Sequence, residues 1–188
     1  ALGLADAAKE RRDNMAEKIA RVVEIINRPE NKDEHFLLWH DLESEREALC
    51  KAIPGCKAVY GSQDDEEADK VIADFKNGRL KYLAAKPEML GEGLNFQYHC
   101  HKAIMFIDYR FNDKFQAIAR IYRFMQKHPV DLYLVYAESE GEIFKSFMQK
   151  WAQHREMVSK MTDIVRENGL FGLQAEEKMM RWMFASRE

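Results

Sequence analysis

Gln116, Arg120 and Arg123 recur at spacings of four and three residues in QAIARIYRFMQ (116–126), interleaved with Ile118, Ile121, Phe124 and Met125. On a helix those spacings gather the three polar groups on one face and leave the apolar ones to pack by the other. A guanidinium is always charged and presents a planar fork of donors matched to phosphate oxygens. The chemistry open to such a face is therefore charge stabilisation at a phosphoryl group. A merely solvated helix face has the same composition, so the choice rests on what surrounds it.

Upstream lies GEGLNFQ (91–97), whose glycines let a backbone approach a ligand closely or adopt positive φ. Alone, a Gly-x-Gly turn is as readily just a turn. The order is more informative: this loop, then a strand ending near Asp108, then Phe111-Asn112, then the helix with Gln116, Arg120 and Arg123. His99, Cys100 and His101 would alternate on an extended segment, but no spaced Cys-x-x-Cys partner exists and no metal site is expected.

The elements that must position these groups follow from periodicity. An amphipathic helix is expected over 6–28, ended by Pro29, with Met15, Ile19, Val22, Val23 and Ile26 at helical spacing. Apolar runs at 35–40, 57–60, 80–86, 102–108 and 130–137 read as strands. Helices are expected at 42–53, over an acidic-first segment closing on Asn77-Gly78, and at 113–125. Strands alternating with helices argue for a parallel sheet covered on both faces, and in such sheets ligands sit beyond the carboxyl ends of the strands. After Gly141 the pattern is helical. Phe144, Phe147, Met148, Trp151, Val158, Met161 and Val165 form a stripe read as core packing, and a last helix is expected over 175–186. The expected organisation is an N-terminal helix (1–30), an α/β lobe (31–141) and a C-terminal helical extension (142–188).

The chain has 188 residues, 46% hydrophobic and 32% charged, with a net charge of −3. A strongly basic nucleic-acid binder is excluded, so any phosphate contact must come from local clusters. Three cysteines make an odd, unpaired set, which points to reduced thiols and a cytoplasmic setting. No apolar run is long enough to span a membrane. A first residue of Ala hints at processing or at a fragment cut from a longer protein.

Over about residues 35–145 the chain resembles the second RecA-like lobe of superfamily 2 helicases and translocases, particularly SWI/SNF-type ATPases and their bacterial and phage relatives. FLLWHDLESEREAL looks like motif IV, KPEMLGEGLNFQ like motif V, and QAIARIYRFMQKHPV like motif VI, usually Gln-x-x-Gly-Arg-x-x-Arg. Ala119 stands where the family usually has Gly, and Met125 where many relatives have Gly before Gln126. Nothing resembles the first lobe, with its Gly-x-x-x-x-Gly-Lys-Ser/Thr loop and paired-acid magnesium motif.

The resemblance implies roles. Arg123 is the arginine finger reaching the γ-phosphate, Arg120 a second phosphate or cleft contact, and Gln116 a positioning group one turn earlier. Asn95 matches a ribose contact, and Gly91, Glu92 and Gly93 shape the loop between ATP and nucleic acid. His40, Asp41, Ser44 and Lys86 lie near the phosphodiester backbone. ATP and Mg2+ would be shared with a missing first lobe, the partner would be DNA, most simply duplex, and the chain alone would be inactive. Two rival readings are a RecA-like interaction module without its own nucleotide chemistry, and a methyltransferase-like Rossmann domain. Against the latter, the glycine loop follows a late strand and no acidic residue about 20 positions on ends a second strand.

Overall fold

Five parallel strands form one sheet, with residues 57–59, 82–85, 36–39, 102–106 and 131–135 side by side in that order. The computed structural model describes residues 14–90, 94–108, 110–122 and 125–168. Its elements are α1 (Met15–Ile26), β1 (Phe36–Trp39), α2 (Glu43–Ala52), β2 (Lys57–Val59), α3 (Asp65–Lys76), β3 (Tyr82–Ala85), β4 (Lys102–Phe106), α4 (Phe111–Ile118), β5 (Asp131–Val135) and α5 (Gly141–Asn168). This is the expected α/β parallel sheet flanked by helices, with an N-terminal helix and a C-terminal helix. The strands are shorter than the apolar runs that announced them, because pairing stops where the chain turns to enter a helix. Two compact units are present, residues 1–144 and 145–188, so α1 belongs with the sheet.

Central strands buried on both faces read as continuous apolar runs, and FLLW is one: every residue of β1 is buried. Successive side chains go to opposite faces. Phe36, Leu38, Ala84, Ile104, Phe106 and Val135 join Val22, Ile25 and Ile26 of α1 and Leu49 of α2 in one core. Leu37, Trp39, Leu83, Ala85, Ala103 and Met105 alternate to the other face and are also buried. On that side Phe75 of α3 meets Phe96 edge-on, with ring centroids 5.3 Å apart.

Local signals set the helix ends. Asp64 caps α3, its carboxylate accepting from the amides of Glu66 at 3.0 Å and Glu67 at 3.3 Å. The helix stops at Asn77 and Gly78, and Gly78 takes φ 72. A Cβ there would come within 2.9 Å of His99 Nδ1, so glycine also admits the close approach of that ring. In α1, the buried Lys18 bonds the buried Glu140 at 2.9 Å, and Glu140 in turn accepts the amide of Ala137 at 2.8 Å, fixing the exit from β5.

Two expectations are corrected. The helix expected over 113–125 begins at Phe111 and ends at Ile118. Beyond it the amides of Arg120 and Ile121 bond the carbonyls three residues back, at 3.1 Å each, tightening the chain into turns that drive Ile121 fully inside. In the α5 stripe, Met148, Val158 and Met161 are exposed, at 43%, 46% and 36%, so these positions are not core. The helix expected over 175–186 and the start of the first helix lie outside the described residues.

Candidate functional site

The connections from β1 and β4 diverge to opposite sides of the sheet, one leading to β2 and β3 and the other to β5. The carboxyl ends of β1 and β4 therefore flank the topological switch point, where open α/β sheets hold their ligands. Two carboxylates stand there, Asp41 just after β1 and Asp108 just after β4. Both are claimed by cations from the start of α4. Lys114, with no exposed surface, bonds Asp41 Oδ2 and lies 3.9 Å from Asp108 Oδ2. Arg110 donates through Nη2 to Asp41 Oδ1 at 2.7 Å and through Nε to Asp108 Oδ2 at 3.0 Å. The Arg110 amide also donates to Asp108 Oδ1 at 2.8 Å. Among the described residues, Lys114 and Arg110 thus bridge Asp41 and Asp108 across the crevice, tying the turn after β1 to α4.

The same turn carries the other expected backbone contacts. His40 is fully buried with both ring nitrogens lacking a hydrogen-bond partner, and burial holds its pKa down at about 4. Asp41 does not cap α2. Glu45 does that instead, its Oε2 accepting the amides of Asp41 at 2.8 Å and Leu42 at 2.9 Å. Ser44 is exposed on the first turn of α2. Lys86, at the end of β3, reaches Glu43 Oε1 at 3.2 Å. Arg46 and then Lys86 hold the Glu43 carboxyl below its ordinary range. Ser44, Lys86, Glu43 and Arg46 therefore line the carboxyl edge beside the bridge.

Gln116 is exposed near the end of α4. Arg120 lies beyond the helix, so the two do not share one helical face. Its Nε is buried and has no acceptor among the described residues, which is costly unless something else supplies one. Asn95 is half-buried. Arg123, Gly91, Glu92 and Gly93 lie outside the described residues. Met125 takes φ 71, the left-handed conformation that glycine adopts without cost. Gln126 then donates to Cys100 O at 3.1 Å and Ile121 O at 3.2 Å, anchoring the turn to the start of β4.

Among the described residues no group of three or more His, Cys, Asp or Glu side chains is placed to hold a metal ion. His101 instead stacks on His128, with centroids 4.8 Å apart, and sits 3.4 Å from Glu34. Lys114 and Arg110 were missed from the sequence. The available signal was the density of charge in DYRFNDK (108–114), two acids and two bases within seven residues just after a strand end.

No family model matches the chain, and no curated protein does. Solved structures do. The C-terminal part of the Fun30 ATPase domain superposes with a TM-score of 0.60 at 17% identity, covering 69% of this chain and 44% of that one. A C-terminal domain of S. cerevisiae Dbp5, in a structure with Gle1 and IP6, gives 0.60 at 14% identity over 74% of this chain and 80% of that one. A longer Dbp5 chain bound to Gle1 and IP6 gives 0.59 at 16% identity, 74% and 38%. The fold is that of a RecA-like lobe. The lobe spans under half the length of the Fun30 chain and of the longer Dbp5 chain. No helix among the described residues is long and apolar enough to cross a membrane.

Proposed function

We propose that this lobe is the second motor lobe of an ATP-dependent, SWI/SNF-type DNA helicase or translocase, working against a first RecA-like lobe that carries the phosphate loop and the magnesium ligands. The observation that carries the reading is the buried Arg120 Nε without an acceptor among the described residues, in a segment whose residue order matches motif VI. An anionic oxygen from across an interlobe cleft would complete its hydrogen bonding, which is the fit expected for a phosphate contact. Arg123 follows as the arginine finger, with Gln116 and Asn95 as positioning groups and Gly91, Glu92 and Gly93 as the loop between nucleotide and nucleic acid.

Bound ATP would supply the transferring phosphoryl group and Mg2+ would neutralise part of its charge; the lobe's part is to place guanidinium charge where negative charge develops. On the nucleic-acid side, Ser44 and Lys86 are placed to meet the phosphodiester backbone of duplex DNA, contacts that position without reading sequence. His40 and Asp41, one buried and one ion-paired, act by holding the turn that presents them.

The test is Arg123→Ala in the two-lobe protein containing this chain. A finger contributes about 10³–10⁵ in turnover, so steady-state ATPase with saturating duplex DNA should collapse while ATP affinity changes little. Arg123→Lys should not rescue it, since a point charge lacks the planar fork. Near-normal turnover in the alanine variant refutes the finger assignment. The lobe alone should show no ATPase.

A further inference from the structure

Cys50 and Cys56 face each other across the turn that joins α2 to β2, with their sulfurs 3.8 Å apart. Cys50 sits on the last turn of α2, half-buried, while Cys56 is buried beside Leu49 and Ile53. The turn between them is Pro54-Gly55, with Gly55 at φ 79 and open space where a Cβ would stand. Its frame is held by hydrogen bonds from the Ile53 amide to Leu49 O at 3.0 Å and from the Cys56 amide to Ile53 O at 3.1 Å. The thiols are therefore held close by a short, well-bonded turn.

We infer that Cys50 and Cys56 form a reversible dithiol–disulfide site, oxidised by low-molecular-weight disulfides such as oxidised glutathione, with Cys50 the attacking thiol and Cys56 the resolving one. The assignment of roles follows from the surroundings. Cys50 and Cys56 share a thiol hydrogen bond, and Cys50 lies near Arg46, one helical turn earlier, and Lys57. The Cys56 bond first, then those two cations, hold its pKa down at about 7. The same hydrogen bond and burial push the Cys56 thiol upward, so it keeps its proton while Cys50 is a thiolate. Thiolate character and partial exposure mark the reactive partner of a pair.

The Cys50 thiolate attacks one sulfur of glutathione disulfide and expels one glutathione thiolate, leaving a mixed disulfide at Cys50. Cys56 then gives up its proton to solvent and attacks Cys50 Sγ, expelling the second glutathione thiolate. Two protein thiols are oxidised and one glutathione disulfide is reduced to two glutathiones. Bond formation needs the sulfurs to close from 3.8 Å to about 2.05 Å, a side-chain rotation next to an open glycine turn. The third cysteine, Cys100, is buried, and burial pushes its thiol up to about 12, so it stays out of the exchange.

The test equilibrates the purified chain in glutathione buffers of graded oxidised-to-reduced ratio, quenches with acid, alkylates under denaturing conditions and maps the tryptic peptides. Cleavage at Lys51 separates the two cysteines, so an internal disulfide appears as peptides 47–51 and 52–57 joined, lighter by two hydrogens than the reduced pair. That product should accumulate with Cys100 still alkylated. Cys56→Ala should instead trap glutathione on Cys50, and Cys50→Ser should leave Cys56 reduced. In the reduced native protein at pH 7, Cys50 should alkylate at least about tenfold faster than Cys56. Alkylation of both cysteines at every ratio, a persistent mixed disulfide on Cys50 in the unmutated chain, or disulfides only between chains would each overturn the inference.

Discussion

Lys114 and Asp41, 73 positions apart in the chain, form an ion pair in which the lysine has no exposed surface and the aspartate side chain is 5% exposed. The pair joins the turn after β1 to α4, and Asp108 and Arg110 pair with it. Removing Lys114 leaves the buried Asp41 carboxylate short of one cation, though Arg110 still bonds it. Lys114→Met should therefore destabilise the lobe by about 1–3 kcal/mol, less than for a buried charge left without any partner. Adding Asp41→Asn should recover part of that loss, since Asp108 keeps Arg110. Urea melts of the two single variants and the double variant give the coupling energy, and additive losses would mean that the contact contributes nothing.

His40 predicts an acid-side loss of stability. Its pKa is about 4 in the folded lobe against an ordinary 6.5, because burial outweighs the opposing pull of Glu45, Glu43 and Asp41, with Lys86 adding to the depression. The folded state holds His40 neutral while the unfolded chain protonates, so below pH 6.5 the unfolded state binds the extra proton. Stability is therefore full above pH 6.5 and falls as pH drops toward 4, by at most about 3 kcal/mol. His40→Leu should flatten that slope. Denaturant midpoints for both proteins between pH 4 and 7 provide the check, and parallel curves would remove His40 as the cause.

Met125 predicts a stabilising substitution. It is exposed, so little packing is lost with the side chain, and its φ of 71 carries a steric cost of about 1–2 kcal/mol for a residue with a Cβ. Glycine removes that cost but adds chain entropy to the unfolded state, about 0.5–1 kcal/mol. Met125→Gly should raise stability by about 0.5–1 kcal/mol, and Met125→Val should lower it. Thermal melts with the opposite ranking would mean the turn relaxes out of the left-handed region.

How far the sequence revealed this lobe follows from the range of the forces involved. The strand and helix alternation, the acidic first turn of α3 and the Asn77-Gly78 stop were legible because each is written in adjacent residues. The end of α4 was not. Its apolar spacing continues through Ile121, yet the turn at Ala119 takes over because it buries Ile121 completely. The stripe on α5 held only in part, with Phe147 buried but Met148, Val158 and Met161 exposed, since periodicity records which residues share a face and not whether anything covers them. The bridge of Asp41, Lys114, Asp108 and Arg110 had only a local excess of charge to announce it. Its pairing is made by sheet order, which brings β1 beside β4. The assigned roles of Arg123 and Gly91–Gly93 rest on residue order alone, as these positions lie outside the described residues.

Arg120 sets stability against function. Its Nε is buried without an acceptor among the described residues, and a polar group in that state costs about 1–3 kcal/mol. Replacing it by an unbranched apolar side chain of similar reach removes the unsatisfied donor while keeping most of the volume. Arg120→Met in the isolated lobe should therefore be neutral or stabilising by up to about 1–2 kcal/mol. If the nitrogen awaits a phosphate oxygen from the cleft, the same substitution in the two-lobe protein should lower ATPase turnover by about 10²-fold or more. A merely structural arginine gives the reverse pattern, with a lower melting temperature and turnover preserved in the folded fraction. Calorimetry on the lobe and DNA-stimulated ATPase on the two-lobe protein, measured on the same pair of variants, separate the outcomes. A destabilised lobe with normal turnover would remove Arg120 from the phosphate site.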